Sequence, residues 1–343
     1  MPENLKQPMP AAMQAYLTQL HQVIVPYLLA QGVTPNAINA REALANLTTA
    51  FVTDAPNMAK IIDTVLVTPS NFRGYNVPLR LFVPSNCPLP NEQAAADVPV
   101  MVYFHGGGGM TGSVTVYDKL YKKLAEATGC VVVAPEYRLA PENRYPAAID
   151  DAHAILTYLT ATLQQVGYAC NGKLIIAGDS GGGAITATLV QDWLANRVNT
   201  DLAITHQILI YASLDYTMSQ PSIEENGTGY LLESSKIRWY FDNYFSAYDD
   251  RELSSPFWTD MATLLHHSPY QAPKTLHLTA GYCPLRDEDI GYHDVLQAAG
   301  APSQLIHFAD MPHAFLNMEN LCPDQCKQPV SYTHLTLPTI YSV

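Results

Sequence analysis

Positive charge is scarce in this chain: 18 Lys and Arg stand against 31 Asp and Glu, a formal net charge of −13 over 343 residues. A surface with that balance repels phosphate backbones and anionic headgroups, so no nucleic-acid partner and no electrostatic membrane docking are expected. Long apolar runs are missing too. No segment approaches the ~18 uninterrupted apolar residues of a membrane span, and no integral membrane association is expected. The opening Met1-Pro2-Glu3-Asn4-Leu5-Lys6 has neither the basic start nor the apolar stretch of a secretory leader, which makes the cytoplasm the expected location. Cysteine is thin and scattered, at 87, 130, 170, 283, 322 and 326, without a disulfide framework. Cys322 and Cys326 have no second pair to close a zinc site, and no metal is expected.

What the chain does have is core. Apolar residues make up 48% of it, enough for a full-sized domain. Residues from about 10 to 50 read as helical, with Leu17, Leu20, Val23, Ile24, Tyr27 and Leu28 at helical spacing and a bend or break at Pro26. From Lys60 the texture becomes that of strands: Asp63–Thr68 and Val77–Val83 alternate, then Val98–Phe104, Cys130–Ala134, Leu174–Ala177, Gln207–Tyr211 and Thr275–Thr279 are short, apolar and rich in β-branched residues. Helix-like segments separate them, as at Asp118–Thr128. Such alternation predicts an α/β fold, a mostly parallel central sheet with helices on both faces. Residues of about 217–252, rich in Tyr, Ser and Glu, interrupt it as an insertion. The expected organisation is an N-terminal helical cap segment (1–55), a catalytic domain (56–328) with that cap insertion, and a tail (329–343).

Three motifs carry chemistry. Gly178-Asp179-Ser180-Gly181-Gly182 lies between a predicted strand and the helix-like Ala184–Leu194. A G-x-S-x-G there makes a sharp turn that lifts the serine hydroxyl off the sheet, and Ser180 is the expected nucleophile. His105-Gly106-Gly107-Gly108-Gly109 follows the strand ending at Phe104. Four glycines suit close approach of backbone amides to an anion, and the expected oxyanion donors are the N–H groups of Gly106, Gly107 and Gly181. His313, in Asp310-Met-Pro-His-Ala-Phe315 after the apolar stretch Leu305–Phe308, is the expected general base.

With Tyr137-Arg-Leu-Ala-Pro-Glu142, Tyr145-Pro-Ala-Ala148, Ser255-Pro256 and Pro284-Leu-Arg-Asp-Glu288, these motifs resemble the hormone-sensitive-lipase-like carboxylesterases, the bacterial family IV esterases, from about Val77 to Met318. The resemblance implies an α/β-hydrolase core with a helical cap, no cofactor, and hydrolysis of short- to medium-chain acyl esters. A small ester is then the expected partner, and a homodimer is compatible with the chain. A hydrolase-fold protein that binds a small molecule without turnover, or an amidase or deacetylase using the same residues, remains an alternative.

One position departs from that family. Its pattern Asp-Pro-Leu-Arg-Asp-Glu begins with the triad acid, and here that residue is Cys283. Pro284 suits a first helical position, which would make Cys283 the cap. Three readings stand: Asp287, one turn further on, supplies the carboxylate; Cys283 serves as a thiolate; or the Ser–His pair works without an acid and is weakened. After Met318 the resemblance ends, and Ser331–Val343 looks like translated adapter sequence, so 329–343 is expected to be a non-native tail.

Overall fold

The computed structural model describes residues 5–69, 75–92 and 98–328; the expected tail lies outside them. Eight strands form one sheet: β1 (Lys60–Leu66), β2 (Val77–Val83), β3 (Val98–Phe104), β4 (Val131–Pro135), β5 (Cys170–Asp179), β6 (Ala203–Ile210), β7 (Lys274–Tyr282) and β8 (Ser303–Pro312). Their order is β1-β2-β4-β3-β5-β6-β7-β8. β2 pairs antiparallel with both β1 and β4, and all other pairings are parallel. Parallel neighbours need a crossover between them, which is why helices alternate with strands along the sequence.

Side chains alternate across the pleat and split the core in two. Val98, Val100, Val102 and Phe104 face one layer with Val131 and Val133; Met101 and Tyr103 face the other with Val132 and Ala134. The first layer is closed by α5 (Ala147–Gln165), α6 (Gly181–Leu194) and α11 (Arg286–Ala298), the second by α4 (Asp118–Thr128) and the N-terminal helices. Those N-terminal helices are α1 (Ala11–Gln19), α2 (Val25–Ala30) and α3 (Ala37–Phe51). A wide turn over Leu20–Ile24 joins α1 to α2, so the helix is deformed just before Pro26 rather than ended by it. The intervening α7 (Ser222–Glu225), α8 (Ser234–Tyr244), α9 (Arg251–Ser254) and α10 (Met261–His267) lie between β6 and β7.

Polar ties fasten the N-terminal helices to the rest. Arg41 of α3 donates to the carbonyls of Met110 and Ala140, each at 3.0 Å, and pairs with Glu142 at 2.6 Å. Lys6 pairs with Glu225 at 2.7 Å, and His21 Nε2 meets the Tyr230 carbonyl at 3.0 Å.

Candidate active site

Ser180 sits at the junction of β5 and α6, with φ 52° and ψ −120°. Positive φ is costly for a residue with a Cβ, so the surroundings must hold it. The close packing that does so admits only glycine beside it. A Cβ on Gly182 would run into the carbonyl oxygens of Phe104 and His105, and one on Gly178 into the carbonyl of Gly182. The Ser180 N–H is spent on the Ile210 carbonyl at 2.9 Å, and the Ser180 carbonyl accepts from Ser213 at 3.0 Å. The hydroxyl is thereby aimed away from the sheet.

His313 follows directly on β8. Ala314, at φ 58°, turns the chain into the short helical segment Phe315–Leu321. His313 Nε2 stands 3.0 Å from Ser180 Oγ, and its Nδ1 stands 3.1 Å from the sulfur of Cys283. The Tyr211 ring packs edge-on against the imidazole with centroids 4.9 Å apart. Burial pushes His313 down to about 3, with Lys236 adding to the effect. Without a carboxylate at Nδ1, nothing offsets the cost of charging a buried ring.

Cys283 is fully buried in the turn between β7 and α11. The helix itself starts at Arg286, so Pro284 is not a first helical residue; the Cys283 carbonyl accepts the Arg286 N–H at 3.1 Å and its sulfur the Leu285 N–H at 3.3 Å. Burial first, then the nearby Asp289 and Glu288, raise the thiol well above its ordinary range. Burial thus works against the thiolate that the sequence left open.

Asp287 is not brought to the imidazole, and the expectation that it might supply the acid is corrected. Its Oδ2 accepts the Ser222 N–H at 2.9 Å and its Oδ1 the Arg286 Nε–H at 2.7 Å. One helical turn of displacement carries it to the α7 side, while Cys283 keeps the position beside Nδ1.

The glycine loop also needs one correction. The Gly106 N–H donates to Asp179 Oδ1 at 2.7 Å and faces away from any substrate. Gly107, Gly108 and Gly109 take φ of 122°, 61° and 68°, a backbone that only glycine adopts readily. Gly107 and Gly108 line the cavity that also holds Ser180 and His313, and among the described residues their N–H groups donate to no protein acceptor. A Cβ on Gly181 would stand 2.8 Å from the Gly108 nitrogen, so the glycine loop packs directly against the start of α6. Gly107 and Gly108 are thus the loop amides left available to an anion beside Ser180.

Two residues of the site went unread as such in the sequence. Asp179 is fully buried and accepts from Gly106 N–H, from Tyr103 OH at 3.1 Å and from Tyr117 OH at 3.0 Å. Burial lifts it to about 6, opposed by those donors. It anchors the anion loop to the strand that carries Ser180. Tyr211 is the other, since nothing in its neighbours' identities marks it as the wall behind His313.

The cavity over Ser180 measures about 580 Å³. Leu20, Ile24 and Leu28 from the N-terminal helices and Ile237, Tyr240 and Phe241 from α8 wall it with apolar surface. A hydroxyl beside an imidazole, amides aimed at one point and an apolar enclosure can together accept a carbonyl compound and stabilise a negative oxygen formed from it.

Known proteins agree with this architecture. Residues 101–317 match the sequence pattern of a family described by the alpha/beta hydrolase fold. The chain is 33% identical to Esterase LipI of Mycobacterium tuberculosis (strain ATCC 25618 / H37Rv), over 77% of each chain. It is 32% identical to an ethyl acetate hydrolase of Pseudomonas putida, covering 72% of this chain and 74% of that one. Among solved structures, a hyperthermophilic esterase from the archaeon Pyrobaculum calidifontis superposes with a TM-score of 0.81 at 26% identity, covering 97% of this chain and 99% of the other.

Proposed function

The chain belongs to the α/β-hydrolase fold family as a hormone-sensitive-lipase-like carboxylic ester hydrolase, and from that premise we propose that Ser180 is its nucleophile and His313 its base, with Cys283 in the place of the acid. Ser180 Oγ attacks the ester carbonyl as His313 Nε2 takes its proton. The N–H groups of Gly107, Gly108 and Gly181 hold the oxyanion. His313 returns the proton to the departing alcohol, and water then cleaves the acyl-enzyme with the same base. The N-terminal helices and the 217–252 segment act as the cap. The observation that carries the reading is the 3.0 Å approach of His313 Nε2 to Ser180 Oγ inside the apolar cavity.

Cys283 sets the rate. The sulfur accepts the Leu285 N–H, and its own S–H donates to His313 Nδ1 only in the tautomer that carries the ring proton on Nε2. That favours the tautomer protonated on Nε2, which cannot receive the serine proton. A neutral thiol also fails to stabilise the imidazolium. The enzyme is accordingly slow.

Hydrolysis of p-nitrophenyl butyrate by the purified chain tests the proposal. Turnover that disappears in Ser180→Ala supports it. Tight binding of an ester with no turnover in the unaltered chain would replace it by a ligand-binding module, the reading that the Cys283 thiol favours.

A further inference from the structure

Between Lys6 and Arg41 the chain contains no Asp, Glu, Lys or Arg, although the whole carries a net charge of −13. Within this stretch Leu20, Ile24 and Leu28 recur at every fourth residue and line the cavity over Ser180. Of the residues between them only His21 and Gln22 are polar. Val23 and Tyr27 form one flank and Val25 and Leu29 the other, so from Val23 to Leu29 the helix is apolar on all sides. A helix of that kind is normally enclosed, in a core or in lipid. Here Val23, Tyr27 and Leu29 are 58%, 63% and 61% exposed, with Ile38 of α3 at 66%.

Position says what covers this face. Val25 and Leu28 are partly exposed and also line the cavity, so the outer apolar surface of the helix continues over the rim into the cavity that holds Ser180. The charged side chains that line the cavity, Asp179, Glu233 and Lys236, all come from outside the helix. A charged protein partner or anionic bilayer finds no complement on the helix and repulsion from the rest of the surface. A neutral, water-insoluble ester phase meets neither penalty and delivers its molecules at the cavity mouth.

We propose that this uncharged face docks the protein onto the surface of an aggregated, uncharged ester lipid, so that substrate enters the cavity directly from that phase. The inference rests on the ester-hydrolase reading and extends it to water-insoluble substrates.

The test uses the full chain in two forms. Docking is read on Ser180→Ala, which removes catalysis, by flotation with a triolein emulsion. Hydrolysis is read separately on soluble p-nitrophenyl acetate. The triple variant Val23→Ser, Tyr27→Ser and Leu29→Ser alters exposed side chains that do not line the cavity. Expected are flotation of Ser180→Ala, a loss of partitioning of about 100-fold when the triple change is added, and soluble-ester turnover within about twofold of the parent. The parent's rate on tributyrin should rise steeply once the ester passes its solubility limit, and that rise should be lost in the triple variant.

Failure of Ser180→Ala to float overturns the inference, as does equal flotation of the triple variant. Binding to anionic vesicles alone also overturns it. So does a solution dimer that the triple change dissociates without any flotation, which would assign the face to a second copy of the chain. Flotation without turnover of soluble ester supports the docking surface and sinks the hydrolase reading instead.

Discussion

Replacing Cys283 by aspartate puts an acceptor-only group where the structure has a donor. The sulfur is 3.1 Å from His313 Nδ1, and a carboxylate oxygen stands one bond further out from Cβ, which closes the gap to about the 2.7–2.9 Å of a charge-assisted bond. The Leu285 N–H, now on the sulfur at 3.3 Å, remains to hold the second oxygen. Two losses are reversed: Nδ1 must carry the proton, leaving Nε2 free to accept, and the imidazolium gains a counter-charge. Removing this interaction in serine proteases costs about 10⁴ in turnover, about 5.4 kcal/mol at 1.36 kcal/mol per decade. The whole amount will not return, because Glu288 and Asp289 already disfavour a negative charge at this point. A gain in kcat of about 10² to 10⁴ on p-nitrophenyl butyrate is expected, with Asp287→Asn unchanged within about threefold. A Cys283→Asp protein that is folded by circular dichroism yet no faster than its parent would refute the tautomer argument. Collapse of activity in a folded Asp287→Asn variant would move the acid to Asp287.

Two other outcomes follow from the same geometry. The base must be neutral, and with the imidazole held down to about 3, kcat/KM should stay level from about pH 8 to about pH 5. In Cys283→Asp the carboxylate favours the imidazolium, so the acid limb should shift upward by at least one pH unit or so; identical profiles would contradict the assignment of His313. Asp179→Asn leaves Gly106 N–H, Tyr103 OH and Tyr117 OH with a poorer acceptor, and should cost about 2–4 kcal/mol in urea unfolding and lower kcat. An unfolding midpoint equal to the parent's would remove Asp179 as the anchor of the loop.

Much of the sheet was readable because buried parallel strands need unbroken apolar runs. Val98–Phe104, buried along its whole length, was expected at the residues where it occurs, and so were the alternating antiparallel strand Val77–Val83 and helix α4. β5 and β8 extend further at both ends than their apolar cores, since polar residues can join a ladder through the backbone alone. The loop donors were misread by one residue for a related reason. Composition shows that His105–Gly109 can bring amides close to an anion, but which N–H faces the cavity depends on dihedral angles that all glycines permit. It also depends on Asp179, whose claim on Gly106 is visible only once both are buried together.

The acid position illustrates the same limit more sharply. Asp287, Glu288 and Asp289 follow Cys283 within two turns, and any count of nearby carboxylates would judge the site well supplied. Successive helical residues point about 100° apart, so each of the three meets a different neighbourhood. Asp287 is held by Ser222 and Arg286. Glu288 accepts the N–H groups of Leu214 and Asp215. Asp289 is buried 3.6 Å from His277, which burial pushes down to about 3. Asp287 and Glu288 cannot turn away without stranding the N–H groups they accept, and Asp289 is enclosed on the His277 side of the helix. Catalytic carboxylate is thus a property of one place in the fold, the turn residue that follows β7, and three acids beside it do not compensate for a thiol there.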